Sequence, residues 1–187
     1  MHNLIPTLAL GGQTAQIDNI GALTIVENAD VSLASVSARM GREKKTEQLL
    51  KKILGTVPTP GQSQQGAKEA GFWMGPDQWM IIAPMASHEL LADQLKELLG
   101  DTASVTEQTS AWVVFDITGK AVKDAVELLC AVPIRTMKDG ETHRTVVHHL
   151  GCFITLYRTD NHVRLLGPRA SAQSLHHAII TAAHSVA

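Results

Sequence analysis

Nine histidines, two cysteines, Asp116 and Arg169 are the side chains of this 187-residue sequence that could carry chemistry. Imidazole binds zinc well, and His143, His148, His149 and His162 lie close in sequence, with Glu141 as a nearby carboxylate. The spacing is not that of H-E-x-x-H, and a strand through His148 and His149 would turn these neighbours to opposite faces. Structural or surface histidines are therefore expected, and no metal site. His176 and His177 fall in the last helical segment, where a polar face accounts for at least one of them. Cys130 and Cys152 sit in apolar patterns, where burial raises a thiol's pKa and leaves it inert. Two isolated thiols form neither a disulfide framework nor a zinc site. Asp116 ends an apolar strand beside a helix start, where a carboxylate could meet a ligand amine. The simpler reading is an exposed strand-end residue or a capping partner. Arg169 precedes the last helix, and a salt bridge or subunit contact competes there with an anion site.

The common catalytic templates are missing. The sequence holds no G-x-G-x-x-G, no G-x-x-x-x-G-K-[ST] and no G-x-S-x-G. No catalytic residue and no cofactor-binding residue is expected. Sixteen Lys and Arg against eighteen Asp and Glu give a net charge of -2, so no basic excess exists to displace phosphate counterions, and nucleic acid is not an expected partner. Aromatics at 4% are too few for a base-stacking platform. Residues that are 44% hydrophobic and 18% charged suit a packed globule. No apolar run approaches the ~20 residues of a membrane helix. Met1 to Gly12 lacks the pattern of a secretory signal. A soluble, cytoplasmic chain without membrane contact is the expectation.

Residues 1–18 read as an N-terminal arm, loose or docked on a partner. Gly21–Glu27 and Val31–Val36 read as strands with a turn at 28–30. Arg42–Leu54 reads as a helix ended by Gly55, with Leu49, Leu50, Ile53 and Leu54 on one face. Thr56–Gly71 is irregular. Gly75-Pro76-Asp77-Gln78, flanked by two apolar runs, reads as a hairpin around a type I turn. Trp73 and Trp79 flank that turn. They close a small core or anchor a partner, and one indole is expected in each role. Ser87 is expected to cap a helix over 88–99, and Thr118 another after the strand Ala111–Ile117. Strands follow at 145–150, 151–158 and 162–166, the last two joined through 159–161. Ser171 is expected to cap a final helix. Helices interrupt strands without regular βαβ alternation. The fold class is α+β: two small lobes, 19–102 and 103–187, of antiparallel or mixed sheet with helices on one side.

Three segments carry a family resemblance. Gly71-Phe72-Trp73-Met74-Gly75-Pro76-Asp77-Gln78-Trp79-Met80-Ile81 resembles the W-x-G-P-D-E/Q-W-L signature of the gamma subunit of heterotetrameric sarcosine oxidase. Val114-Phe115-Asp116-Ile117-Thr118 is similar to that family's V-D-V-S strand. Leu128-Leu129-Cys130 with Val132-Pro133-Ile134 is similar to its L-L-x-x-x-P-I/L helix end. Gly167-Pro168-Arg169-Ala170-Ser171-Ala172-Gln173-Ser174-Leu175 resembles the opening of its last helix, R-S-F-A-x-S-L. Two departures stand out. Arg135-Thr136 replaces the family's Asp-Leu, and Ala170-Ser171-Ala172 lacks its aromatic.

The resemblance implies a fold like the folate-binding domain of aminomethyltransferase. It implies a non-catalytic subunit of a flavin-dependent complex that converts sarcosine, tetrahydrofolate and O2 to glycine, 5,10-methylenetetrahydrofolate and H2O2. FAD, FMN, NAD and zinc would then belong to the alpha, beta and delta partners and not to this chain. Trp73, Trp79 and Arg169 become candidates for the partner interface. The alternative is a free-standing folate-binding protein of the same fold, with Asp116 and Arg169 in the pocket.

Overall fold

Short, largely apolar stretches supply most of the eleven strands that the described residues form in two sheets. The computed structural model describes Ile5 and residues 7–158 and 161–187. One sheet has six strands: β1 (Ile17–Ile20), β2 (Leu23–Glu27), β8 (Trp112–Gly119), β9 (Thr142–Val147), β10 (Leu150–Arg158) and β11 (His162–Pro168), in the order β1-β2-β8-β11-β10-β9. The other has five: β3 (Val31–Ala38), β4 (Ser63–Gln65), β5 (Ala70–Gly75), β6 (Gln78–Pro84) and β7 (Ala103–Glu107), in the order β4-β5-β6-β3-β7. Both sheets are antiparallel.

Four helices complete the α+β fold. In the five-stranded unit, α1 (Glu43–Leu54) buries Leu50 and Leu54, and α2 (Leu91–Leu99) buries Leu91, Leu95 and Leu99. They pack against Ala34 and Val36 of β3 and Trp79 and Ile81 of β6. In the six-stranded unit, α3 (Val122–Leu129) buries Val122, Ala125, Val126 and Leu129. There α4 (Ala172–Ser185) buries Leu175, Ile179 and Ala182. Their partners are alternate strand residues: Ile25, Val113, Phe115, Ile117, Ile154, Val163 and Leu165. Successive strand residues face opposite ways, so Trp112, Val114, Asp116, His162 and Arg164 lie on the other face of that sheet. No described helix is long and apolar enough to cross a membrane.

The units are not consecutive in sequence, contrary to the expected lobes 19–102 and 103–187. One comprises the chain up to Ala29 with Ala111–Asp139 and Arg144–Ala187, and the other comprises Asp30–Ser110 with Gly140–His143. Residues 28–30 therefore lead from one sheet to the other and do not form a hairpin turn. The expected arm at 1–18 also changes. Residues 1–4 and 6 lie outside the described residues, while Ile17 and Asp18 open β1. Ala9 and Leu10 pack on the core of their own unit, and Leu10 N–H donates to buried Glu27 at 3.0 Å. Short β4 and β7 were missed from sequence because neither Ser-Gln-Gln nor Ala-Ser-Val-Thr-Glu alternates clearly.

Three two-residue turns show how local chemistry sets each hairpin. Gly21-Ala22 joins β1 to β2 with positive φ only at Gly21 (+53°), the sign pattern of a type II′ turn. Pro76-Asp77 joins β5 to β6, and Asp77 has φ +55°. That sign belongs to type II, not to the type I expected. His148-His149 joins β9 to β10 with φ +44° and +71°, the type I′ pattern. These two histidines are thus turn residues and not strand neighbours, so the opposite-face argument does not apply to them.

Helix starts differ from expectation too. Ser87 lies outside α2, and its hydroxyl meets His88 Nδ1 at 2.8 Å. Thr118 lies within β8, and α3 starts four residues later. Ser171 stands at the N-cap of α4 but makes no side-chain capping bond. Arg135, one of the departures from the family pattern, forks onto Glu127 of α3 through Nε and Nη2, both at 2.7 Å.

Candidate functional site

On the strand face away from α3 and α4, β8 and β11 place opposite charges side by side. Their antiparallel register sets Arg164 directly across from Asp116. Cross-strand neighbours of opposite charge attract. Here the pair is bidentate: Arg164 Nε donates to Asp116 Oδ1 at 2.8 Å and Nη2 to Oδ2 at 2.9 Å. His162 shares the face, two residues along β11, and its Nε2 meets Oδ1 at 2.9 Å. Asn28, just past β2, donates from Nδ2 to Oδ2 at 2.6 Å. Each carboxylate oxygen thus has two partners, which fills the roughly four lone-pair sites of a carboxylate.

Tyr157 completes the cluster. The β10–β11 register shifts between Leu156 and Arg158, so Tyr157 sits at a bulge. A bulge re-aims its side chain. The Tyr157 ring stacks on His162 with centroids 5.3 Å apart, and the Arg164 guanidinium carbon lies 5.0 Å from its centroid. Asp116 and Arg164 side chains are each 15% exposed. Burial by itself would raise the Asp116 pKa. Hydrogen bonds from His162 and Arg164, the guanidinium charge and the Asn28 amide outweigh it and hold the carboxyl well below the usual carboxylate range. Burial raises the Tyr157 pKa. At neutral pH the cluster is an ion pair with a neutral phenol. In the Asp116–His162 bond Nε2–H is the donor, because the carboxylate can only accept.

The sequence-based candidates fall in different places. Asp116 is a mid-strand, largely buried residue, not an exposed strand end or a cap. Arg169 follows β11, beyond the Trp112–Pro168 pair and five residues from Arg164, roughly 16 Å along the ladder from Asp116. Its Nη2 donates to the Thr7 carbonyl at 2.6 Å and its N–H to Ala111. The structure therefore joins Asp116 to Arg164, not to Arg169. Arg164, Asn28 and Tyr157 were not singled out from sequence. The available signal was His162 and Arg164 alternating with apolar residues in β11, which puts both on one face.

Trp73 and Trp79 form a cross-strand pair in the β5–β6 hairpin. Trp79 is 3% exposed, and its Nε1–H donates to the Pro58 carbonyl at 2.9 Å, so it is a core residue of its own unit. Trp73 is half-buried at the edge of the same cluster. Trp73→Ala is expected to cost about 2 kcal/mol of folding, roughly half the cost of truncating a fully buried aromatic. Thermal melting checks this, and an unchanged melting temperature would mean that Trp73 adds nothing to this core.

Burial pushes the Cys152 thiol up to about 11 and also raises that of Cys130. His143 lies 3.9 Å from Glu141, and His176 Nε2 meets Asp18 Oδ2 at 2.8 Å. Among the described residues no three His, Cys, Asp or Glu side chains gather as a metal site.

The sheets, their order and the helices on one face define an α+β fold that other proteins share. A chain of heterotetrameric sarcosine oxidase from Corynebacterium sp. U-96, in complex with pyrrole 2-carboxylate, is similar with a TM-score of 0.75 at 19% identity. The likeness covers 91% of this chain and 88% of that one. Aminomethyltransferase T of the glycine cleavage system from Bartonella henselae is similar with a TM-score of 0.68 at 12% identity, over 95% of this chain and 57% of that one. This chain thus spans a little over half the length of the transferase. No protein-family model and no curated protein matches the sequence.

Proposed function

We propose that this chain is the gamma subunit of a flavin-dependent heterotetrameric sarcosine oxidase, a structural subunit without catalytic residues of its own. The observation that carries the reading is the two-way size match, 91% and 88%, with the sarcosine oxidase chain. The ordered signatures at 71–81, 114–134 and 167–175 support it. So does Asp116, whose oxygens are occupied by three neighbouring side chains and leave little for a ligand. In such a complex sarcosine, tetrahydrofolate and O2 give glycine, 5,10-methylenetetrahydrofolate and H2O2. FAD, FMN, NAD and zinc belong to the alpha, beta and delta partners, and the assembly works in the cytoplasm.

The likeness over 95% of the chain to an aminomethyltransferase favours a second reading, a free-standing folate-binding protein. Ligand binding at Asp116 then requires His162 or Asn28 to give up its bond. One experiment separates the two. The chain is tagged in its native host and purified. Co-purification of flavoprotein chains and a small zinc-binding chain in fixed ratio is expected, with sarcosine-dependent peroxide. The chain isolated from them is expected to be colourless and inactive. A stoichiometric flavin band on the isolated chain, or a solitary chain that binds tetrahydrofolate, overturns the subunit reading.

A further inference from the structure

Positive charge concentrates in the turn before α1 and on the solvent side of the helix. Residues 39–52 hold six of the sixteen Lys and Arg against two acids, a net of +4, of which α1 itself, with four Lys against Glu43 and Glu47, contributes +2. The chain total is -2, so all other residues together carry -6. Lys44, Lys45, Lys51 and Lys52 are exposed, and their side chains make no hydrogen bond or ion pair among the described residues. Arg42 has only a loose, exposed contact with Asp101 at 3.8 Å.

The spacing is regular. Lys44 and Lys51 are seven residues apart, as are Lys45 and Lys52. Two helical turns separate each pair by roughly 10.5 Å along the axis. The four ammonium groups therefore form two adjacent rows opposite buried Thr46, Leu50 and Leu54. A groove of about 450 Å³ runs beside them, lined by Lys44, Glu47, Gln48, Lys51, Thr56 and Val57. Met40, in the turn before α1, is 97% exposed. Methionine and arginine are enriched at protein interfaces, whereas a bare lysine row is usually solvated.

We infer that this face of α1 docks an acidic helical segment of a protein partner, with carboxylates at heptad spacing along its own axis. The inference rests on the subunit reading and extends it by naming the docking surface. A helix with acids at i and i+7 repeats every 10.5 Å as well, so each carboxylate meets one lysine of a row. Glu47 lies on the groove side of the Lys44–Lys51 row, three residues after Lys44 and four before Lys51, where it disfavours a continuous polyanion, and uncharged Gln48 lies between the two rows. The chain's net negative charge likewise opposes the long-range capture of DNA or an anionic membrane.

The test uses the full chain and fluorescein-labelled 21-residue alanine-based peptides. One carries glutamate pairs at heptad spacing, and the other has the same composition with the glutamates clustered. Fluorescence anisotropy is expected to show at least 5-fold tighter binding of the heptad peptide. That binding should fall at least 10-fold between 50 and 300 mM salt and at least 10-fold in the variant Lys44→Glu/Lys45→Glu/Lys51→Glu/Lys52→Glu, with its circular dichroism unchanged. Equal binding by the variant overturns the inference, as does equal binding of the clustered peptide. Tighter binding of a 20-base-pair duplex or of phosphatidylserine vesicles also overturns it. The subunit reading is scored separately by co-purification. Flavoprotein chains retained by both wild type and variant overturn the α1 surface alone.

Discussion

Gly119→Ala is expected to leave no stably folded protein. Gly119 ends β8 opposite Leu23 of β2, with φ +128°, a backbone region that L side chains rarely adopt. A Cβ there would overlap the Ala22 carbonyl oxygen and lie 2.9 Å from its carbon. Both are backbone atoms of the Gly21-Ala22 turn, and on its other side Gly119 N–H donates to the Asn161 carbonyl at 3.0 Å. The strand cannot shift toward either neighbour without breaking a ladder. Such strain plus overlap falls in the class of substitutions that cost more than about 4 kcal/mol. The measurement is soluble yield and circular dichroism of the variant. A melting temperature within 2 °C of wild type would mean that β2 and β8 do not approach as described.

Asp116→Ala is expected to destabilise the chain by about 3–5 kcal/mol, because it strands the buried Arg164 guanidinium without its counterion. For a chain of this length that lowers the melting temperature by roughly 10 °C. A mere packing defect would not respond to a second change at Arg164. The double variant Asp116→Ala/Arg164→Leu should therefore recover a good part of the loss, since removing both charges removes the desolvation penalty. The same pair predicts a pH dependence. The folded-state pKa of Asp116 is depressed, and its unfolded value is about 3.9. In the window between them the unfolded chain binds the extra proton, so stability rises with pH. The contribution is fully present above about pH 4 to 5 and is lost as pH falls toward the depressed value. Asp116→Asn removes this component, so the stability gap between wild type and variant should narrow as pH drops below about 4. A gap that stays constant from pH 6 to pH 2.5 would contradict the ion-pair account.

The sequence by itself determined the elements whose signal is local. The apolar stripe of α1 and the Gly55 stop, with φ +74°, were legible because helix faces repeat within one segment. Strands β3, β8, β10 and β11 were legible because each is long and apolar. The Pro76-Asp77 hairpin was legible from its turn residues, although the turn type was decided by the φ of Asp77. The raised pKa of the Cys130 and Cys152 thiols was legible from their apolar neighbours. Only the tertiary structure decided which strands pair. Strands β2 and β3 are separated by three residues and join different sheets, and the marginal segments β4 and β7 become strands only beside β5 and β3. Strand propensity reflects such context more than it reflects sequence. The Asp116 cluster is the sharpest case. Asn28, Asp116, Tyr157, His162 and Arg164 span about 140 positions, and beyond the two-residue spacing that puts His162 and Arg164 on one face nothing in sequence brings them together. The β8–β11 register and the bulge at Tyr157 do, because a shift of one residue would turn Arg164 to the other face, among Phe115 and Ile117 of β8 and Ile154 of β10, where an unpaired charge has no place.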